Sequence, residues 1–201
     1  AIDVLDDIAL TTNASLLAGE ARALRDAGLG RITVSLDALD AERFRERSGG
    51  RGDVRDVLAG IEAARAAGFD SIKINCVVER GVNEDQVLPL LEHFRGSGCV
   101  VRFIEYMDVG TCNGWALDRV VPSAQLRDRI AARWPLRALD PNYRGEVASR
   151  YAFVDGQGEV GFVSSVSAPF CGDCHRARVS ADGHLYTCLF AADGHDLREV
   201  L

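Results

Sequence analysis

Three of the six cysteines lie in one short stretch near the end of the chain. Cys171 and Cys174 form a C-x-x-C pair, and Cys188 follows after thirteen intervening residues. A C-x-x-C turn places two sulfurs on one side of a tight loop, and a third thiolate from a later strand can close the site. Asp182-Gly183 is a tight-turn signal between two short predicted strands, 176–180 and 184–188. We therefore expect a hairpin that returns Cys188 to the C-x-x-C pair.

Several kinds of site use cysteines in this pattern. An iron–sulfur cluster held by three thiolates leaves one iron open, and Arg176 and Arg178 would suit an anionic or polar molecule there. A structural zinc knuckle would take His175 or His184 as its fourth ligand. Cys171 to His175 also spells a haem-attachment motif, but that chemistry needs export, and we see no signal peptide. A disulfide suits a small secreted protein better than a chain of 201 residues.

Composition indicates a globular protein with one large domain, or one domain with an appendage. The chain is 47% hydrophobic and 26% charged, with a formal net charge of −7. That charge gives no general basic surface for nucleic acid, so a phosphate site must be a local cluster. No apolar run reaches the length of about eighteen residues that predicts a membrane span. Free cysteines without a secretory segment indicate the cytoplasm.

Apolar periodicity in the first half predicts strands that alternate with helices. The predicted strands are 7–12, 31–37, 71–78 and 100–106, and the predicted helices are 15–27, 40–47, 53–67 and 83–95. This alternation predicts an α/β fold with a parallel sheet, and four units are too few to close an eight-stranded barrel. Beyond residue 108 we expect a loop at 110–114, a helix at 123–134, an irregular segment at 137–149, and a hairpin of 151–154 with 159–163.

Ligands gather at the carboxyl ends of the strands in such sheets. The residues there that could contact a ligand are Thr11, Thr12, Asn13, Ser35, Asp37, Lys73, Asn75, Glu105, Met107 and Asp108. Most of them have ordinary explanations as helix caps or core residues. Lys73, the only lysine, is the exception, because it would point away from Ile72 and Ile74 and needs a carboxylate or phosphate partner. Cys76, Cys99 and Cys112 lack metal-site spacing and are interpreted as small apolar residues.

Six segments, taken in order, resemble a known family. They are Thr11-Thr12-Asn13, 32–37, 73–75, 102–107, 170–178 and 188–190. The chain resembles the molybdenum cofactor biosynthesis protein A family, the GTP 3′,8-cyclases of the radical S-adenosylmethionine enzymes. The resemblance covers essentially the whole chain, and the cysteine motif with its paired arginines is its most specific part. It implies a partial (β/α) TIM-like barrel at 1–110 and a C-terminal α+β extension with the three-cysteine site at 111–201.

The resemblance also implies the chemistry. One [4Fe–4S] cluster, held by an N-terminal C-x-x-x-C-x-x-C motif, cleaves S-adenosylmethionine to a 5′-deoxyadenosyl radical. An auxiliary [4Fe–4S] cluster in the C-terminal part binds the guanine of GTP through its open iron. The radical takes a ribose hydrogen, and the ribose carbon attacks C8 of guanine. The family further implies a homodimer and a product that passes to cyclic pyranopterin monophosphate synthase.

The resemblance assigns roles to individual residues of this chain. The auxiliary-cluster ligands are Cys171, Cys174 and Cys188. The GTP contacts are Thr11, Lys73, Arg176, Ala177 and Arg178. The S-adenosylmethionine contacts are Ser35 and Met107.

The chain also departs from the family. The C-x-x-x-C-x-x-C motif and the glycine-rich C-terminal tail are absent from the sequence, so the catalytic cysteines cannot be assigned and we expect an inactive fragment or degenerate relative. Ala14 stands where the family has glycine after Thr-Thr-Asn. An unpaired first strand predicts poor solubility. The alternatives are a non-catalytic protein with structural zinc, and a different radical enzyme whose auxiliary cluster transfers electrons.

Overall fold

A seven-stranded sheet forms the centre of the molecule. The computed structural model describes residues 5–109 and 114–199. The strands of this sheet are β1 (Ala9–Thr12), β2 (Arg31–Ser35), β3 (Ile72–Val78), β4 (Val100–Glu105), β5 (Leu136–Leu139), β6 (Ser149–Phe153) and β7 (Glu159–Val163). The α-helices of the described part are α1 (Leu17–Asp26), α2 (Ala41–Arg47), α3 (Val54–Ala66), α4 (Val87–Phe94) and α5 (Ser123–Ala131). In these two ranges, no helix is both long enough and apolar enough to cross a membrane.

The strand order is β1-β2-β3-β4-β7-β6-β5. Strands β1 to β4 and β7 are parallel, whereas β6 runs antiparallel to both β7 and β5. Within the described residues the sheet does not close on itself, because β1 and β5 form its two edges. The expected α/β fold with a partial-barrel sheet is therefore confirmed.

Strand β3 explains why the two faces of the sheet differ. Its residues alternate strictly between buried and half-buried positions. Ile72 and Ile74 point into the core under the helices, whereas Lys73 and Asn75 point to the opposite face, as predicted. Neighbouring parallel strands stay in register, so the polar residues of several strands share this second face.

The turn after β1 has the geometry that glycine favours. Ala14 has a φ of 60° and is the only non-glycine residue with a positive φ in the described part of the chain. Its backbone N–H donates to Thr12 Oγ1 at 3.0 Å, and its side chain is fully buried. The expectation of glycine at this position therefore has a structural reason, since a side chain there carries a conformational cost.

Two parts of the second half differ from the sequence-based expectation. The segment 137–149 was expected to be irregular, but Leu136–Leu139 forms β5 and pairs with β6. Its exposure does not alternate, so the strand depends on its partner rather than on a local pattern. The predicted helix at 123–134 is shorter and ends at Ala131. The hairpin of β6 and β7 is confirmed.

The cysteine stretch leads into a small sheet. Its strands are β8 (Arg178–Val179), β9 (His184–Tyr186) and β10 (His195–Asp196). The expected turn at Asp182-Gly183 is confirmed, with a φ of 86° at Gly183. β10, which was not predicted, pairs with β9. The predicted loop at 110–114 and Cys112 lie largely outside the described residues. Because β5 to β7 extend the sheet of β1 to β4, the division at residue 110 remains a prediction.

Candidate functional site

One cavity joins the cysteine stretch to the polar face of the large sheet. Its volume is about 430 Å³. It is lined by Asn75, Arg102, Ile104, Met107, Val147, Val163, Ser165, Phe170, Cys171, Cys174, Arg176, Arg178, Thr187, Cys188, Leu189 and Phe190. The sheet supplies the floor, and the segment after β7 supplies the wall that carries the thiols. The fold thus brings the three predicted cluster ligands and both paired arginines to a single space.

The three thiols of the cavity are solvent-exposed and free. Cys171 begins a short 3₁₀ turn, and the N–H of Cys174 donates to the Cys171 carbonyl at 3.4 Å. Cys188 returns after β9, as the predicted hairpin requires. Arg176 Nε lies 3.4 Å from Cys174 Sγ. The backbone and side-chain N–H groups of Arg176 lower the pKa of Cys174, which favours the thiolate needed for a metal ligand.

The metal-binding side chains that line the cavity are thiols, which can hold an iron–sulfur cluster or contribute to a zinc site. The described residues contain no group of three His, Cys, Asp or Glu side chains arranged around one ion. In an iron–sulfur cluster each thiolate would bind a different iron. His175 packs beside Gly145, and His184 Nδ1 lies 3.2 Å from Asp182 Oδ2. Neither histidine lines the cavity with the thiols.

Two buried polar atoms at the cavity lack a protein partner. Arg178 Nη1 and Ser165 Oγ are both buried, and neither has a hydrogen-bond partner among the described residues. Both residues line the cavity. A buried donor without a partner costs free energy, so these two groups are available to hydrogen-bond a polar molecule. Arg176 also lines the cavity, with its guanidinium 5.2 Å from the Phe170 ring centroid.

Arg102 is a cavity residue that the role assignment from the sequence missed. Its Nε donates to Asn75 Oδ1 at 2.9 Å, across the paired strands β3 and β4. A Cβ on Gly161 would lie 3.0 Å from Arg102 Cγ, so the glycine makes room for this side chain. Burial lowers the pKa of Arg102, and Arg31 lowers it further. The alternation of apolar and polar residues in β4 could have predicted this, because Arg102 stands between the buried residues Val101 and Phe103 and so points to the opposite face.

Lys73 lies on the same face as Arg102 but outside the cavity lining. It pairs in register with Thr33 of β2, which in turn pairs with Thr11 of β1. Burial is the main cause that lowers the pKa of Lys73, with Arg102 and Arg31 next. Within the described part of the chain, Lys73 makes no salt bridge. Glu146 and Glu159 act on Lys73 only through their charges, which raise its pKa without forming a salt bridge.

The two predicted S-adenosylmethionine contacts lie in different places. Met107 lines the cavity with the cysteines. Ser35 lines a separate pocket of about 290 Å³ at the carboxyl ends of β1 and β2. Asp37 in that pocket accepts hydrogen bonds from the Val77 N–H and from Arg47, while burial raises the pKa of its carboxyl group. Asp37 therefore fixes a loop and does not cap a helix.

Glu105 was expected among the polar residues that face a ligand, but it lies on the core side of the sheet. It is fully buried. Its oxygens accept hydrogen bonds from the backbone N–H groups of Ser123, Val166 and Ser167 and from the Ser167 hydroxyl. Four donors satisfy the carboxylate, so its role is to hold the segment before the cysteine turn against β4.

Two family models match this chain, one in its second half and one in its first half. Residues 99–201 match the family described as Molybdenum Cofactor Synthesis C. The chain belongs to the Molybdenum Cofactor Synthesis C family. Residues 2–94 match the Radical SAM superfamily, which agrees with the parallel βα units of the first half. The resemblance drawn from the six segments is therefore confirmed.

Several curated relatives of this Molybdenum Cofactor Synthesis C family member are named GTP 3′,8-cyclase. GTP 3′,8-cyclase of Xanthomonas campestris pv. campestris (strain B100) is 72% identical over 201 residues, which is all of this chain and 59% of the relative. GTP 3′,8-cyclase of Acidothermus cellulolyticus is 52% identical over 97% of this chain and 54% of the relative. That of Synechococcus sp. (strain WH7803) is 50% identical over 98% of this chain and 60% of the relative. The chain thus spans about three fifths of these relatives' length.

Proposed function

We propose that this chain forms the GTP-binding and auxiliary-cluster-binding part of a GTP 3′,8-cyclase of molybdenum cofactor biosynthesis. The observation that carries the proposal is the shared cavity of Cys171, Cys174, Cys188, Arg176 and Arg178. Three exposed thiols and two guanidinium groups around 430 Å³ suit a cofactor and an anionic or polar substrate together.

The auxiliary [4Fe–4S] cluster, when bound by the three thiolates, would supply one iron that can take a nitrogen or oxygen of guanine. The chain's own residues would orient the base around it. Arg178 Nη1 and Ser165 Oγ are buried at the cavity without a protein partner, so both can donate hydrogen bonds to a purine without losing another bond. Arg176 lies against Phe170 and Cys174, which limits its reach to the cavity.

The triphosphate would lie along the polar face of the sheet. Arg102 lines the cavity and pairs with Asn75 of β3. Lys73 is the next residue of β3 on the same face as Asn75. Thr11 and Thr33 continue this row on β1 and β2. Cations gathered on one face attract a polyanion even though the whole chain has a formal charge of −7. Thr11 and Lys73 are therefore proposed as phosphate contacts.

The S-adenosylmethionine part of the reaction is proposed only in outline. Met107 lines the cavity and Ser35 lines the separate pocket, and the family resemblance is what proposes both as S-adenosylmethionine contacts. The cysteines that hold the radical-generating cluster in the family are not in the printed sequence. We therefore propose that this chain by itself binds GTP but does not catalyse the reaction. The homodimer, the cytoplasmic location and transfer of the product to cyclic pyranopterin monophosphate synthase belong to the same proposal.

The first experiment measures iron and acid-labile sulfide in the chain after anaerobic purification. We expect iron with matching sulfide in the wild type, and its loss in Cys171→Ala. Cys99→Ala is the control, because Cys99 is a buried cysteine far from the cavity lining. Zinc without sulfide would overturn the cluster assignment and favour a non-catalytic protein.

A GTP titration of the cluster-loaded chain is the second step. We expect Arg176→Ala to weaken GTP binding by about tenfold or more, as for the loss of a charge-assisted hydrogen bond. ATP should bind more weakly than GTP, because the cavity orients the base. A loaded chain that does not distinguish GTP from ATP would instead indicate a radical enzyme whose auxiliary cluster transfers electrons.

A further inference from the structure

The loop between β5 and β6, residues 140–148, touches the cysteine turn. Arg144 of this loop donates to Asp173, the residue just before Cys174 in the C-x-x-C motif. Its Nε lies 3.1 Å and its Nη2 2.9 Å from Asp173 Oδ1, and Nε also approaches Oδ2 at 3.3 Å. A fork of two donors on one carboxylate fixes orientation as well as distance.

Gly145 makes a second contact that depends on its lack of a side chain. Its φ is +80°. A Cβ at this position would lie 2.8 Å from the Asp173 carbonyl oxygen and 2.9 Å from the His175 ring. The loop backbone therefore packs directly against the backbone of the cysteine turn, and any larger residue would push the turn away.

The other side of the loop is anchored to the large sheet. Arg150 of β6 donates to the Asp140 carbonyl at 3.0 Å and to Asn142 Oδ1 at 2.8 Å. The same guanidinium donates to Glu159 of β7 at 2.7 Å. Inside the loop, the Asn142 N–H donates to Glu146 at 2.6 Å. The loop is thus hydrogen-bonded to the large sheet on one side and to the cysteine turn on the other.

The cysteine turn has little else to fix it. Its own backbone hydrogen bonds, Asp173 N–H to the Phe170 carbonyl and Cys174 N–H to the Cys171 carbonyl, are both 3.4 Å long. Both distances are longer than those of ordinary N–H···O hydrogen bonds, so these bonds are weak. Cys171 and Cys174 are exposed. The position of the turn relative to the cavity must therefore come largely from contacts outside it.

We infer that Arg144 and Gly145 are positioning residues, which hold the C-x-x-C turn in place at the cavity that Cys188 also lines. The inference deepens the proposed function and rests on it for the cluster, but not for the position of the turn. An exposed ion pair adds little to global stability. The ion pair between Arg144 and Asp173 should therefore order the turn locally, and the free energy of global unfolding should not change.

Hydrogen–deuterium exchange of the metal-free chain tests this inference without any cofactor. The exchange of amides in 170–176 is compared among wild type, Arg144→Gln and Gly145→Ala. We expect Arg144→Gln to speed exchange by about two- to fivefold, as for an exposed ion pair, and Gly145→Ala to speed it more. The melting temperature of Arg144→Gln should stay at the wild-type value.

Each variant has a matched control in the same chain. Gly156→Ala places alanine at nearly the same φ, +79°, but its Cβ would meet no atom within 4 Å, so it carries the backbone strain without the clash. Arg137→Gln removes an exposed charge from β5 without touching the turn. The exchanged pair Arg144→Asp with Asp173→Arg should restore part of the protection. If Arg144→Gln and Gly145→Ala leave exchange in 170–176 at the level of their controls, the inference is wrong.

Cluster retention is the second readout. Wild type and variants are reconstituted with iron and sulfide, gel-filtered, and compared by iron content and visible absorption. We expect Arg144→Gln and Gly145→Ala to lose the cluster faster than Arg137→Gln and Gly156→Ala. A wild type that binds no iron and sulfide would overturn the proposed function, while the exchange experiment would still decide whether the loop positions the turn.

Discussion

The Glu105 carboxylate accepts hydrogen bonds from both the backbone N–H and the hydroxyl of Ser167, a residue 62 positions later in the chain. Glu105 ends β4, and Ser167 belongs to the segment that leads into the cysteine turn. Ser123 at the start of α5 and Val166 donate to the same carboxylate. One buried side chain therefore ties the sheet, a helix and the approach to the site together.

Glu105→Gln should destabilise the fold. The amide keeps one acceptor oxygen but turns an NH₂ group toward backbone N–H donors, which leaves donors unsatisfied in a buried place. We expect a loss of about 2–4 kcal/mol in the free energy of unfolding, measured by urea denaturation. The control is Glu62→Gln, an exposed partner of Arg65, which should change stability by less than about 1 kcal/mol. Equal losses in the two variants would contradict this role for Glu105.

The same carboxylate predicts a pH dependence of stability. Burial raises the pKa of Glu105, but hydrogen bonds from Ser167, Ser123 and Val166 together outweigh burial and hold it below its ordinary value of 4.5. A lowered pKa in the folded state means that the stabilisation is complete above pH 4.5 and is lost as the pH falls through the folded value. The stability gap between wild type and Glu105→Gln should therefore narrow in acid. A gap that stays constant below pH 4.5 would refute the prediction.

Phe170→Leu tests whether the aromatic ring orients Arg176. The guanidinium lies 5.2 Å from the ring centroid, and leucine keeps the apolar contact without the aromatic face. We expect GTP affinity to fall by about two- to fivefold, as for a partly exposed cation–π contact, measured by calorimetry on the cluster-loaded chain. Phe170→Tyr keeps the ring and should keep the affinity. If leucine and tyrosine behave alike, the ring has no orienting role.

Lys73→Met should separate ligand binding from stability. Burial lowers the pKa of Lys73, so the folded chain disfavours its charge, and no described carboxylate forms a salt bridge with it. We expect the free energy of unfolding to stay equal or to rise by up to about 1 kcal/mol. GTP affinity should fall by about tenfold or more. A clear loss of stability in Lys73→Met, with Arg137→Gln unchanged, would show that Lys73 is structural.

Two glycines in helices should respond in opposite directions to alanine. A Cβ on Gly60 of α3 would lie 2.9 Å from the Ala14 carbonyl and 3.0 Å from Leu17 Cβ. Gly60→Ala should therefore cost about 1–3 kcal/mol in urea denaturation despite the better helix propensity. Gly19→Ala in α1 meets no atom within 4 Å and should stabilise the chain by about 1 kcal/mol. The same sign for both would contradict the close contact of α1 with α3.

The sequence by itself determined the elements whose signals are local. Strict alternation in β3 placed Lys73 opposite Ile72 and Ile74, and the structure confirms it. The Asp182-Gly183 turn and the hairpin of β6 and β7 followed from short turn motifs. The family followed from ordered motifs, because their residue types and spacing are specific. Each of these signals lies within a few residues of the element it predicts.

Only the tertiary structure decided how distant segments meet. It placed Arg102 of β4 in one cavity with Cys171. It also showed that Glu105, which was expected to contact a ligand, is buried and hydrogen-bonded to Ser167. It formed β5 from a segment without alternation and set Arg144 against Asp173. These contacts join residues that are far apart in the chain, so they depend on how strands pair and loops pack. The local propensities of the residues do not predict which distant segments pair, and this pairing is determined only in the folded chain.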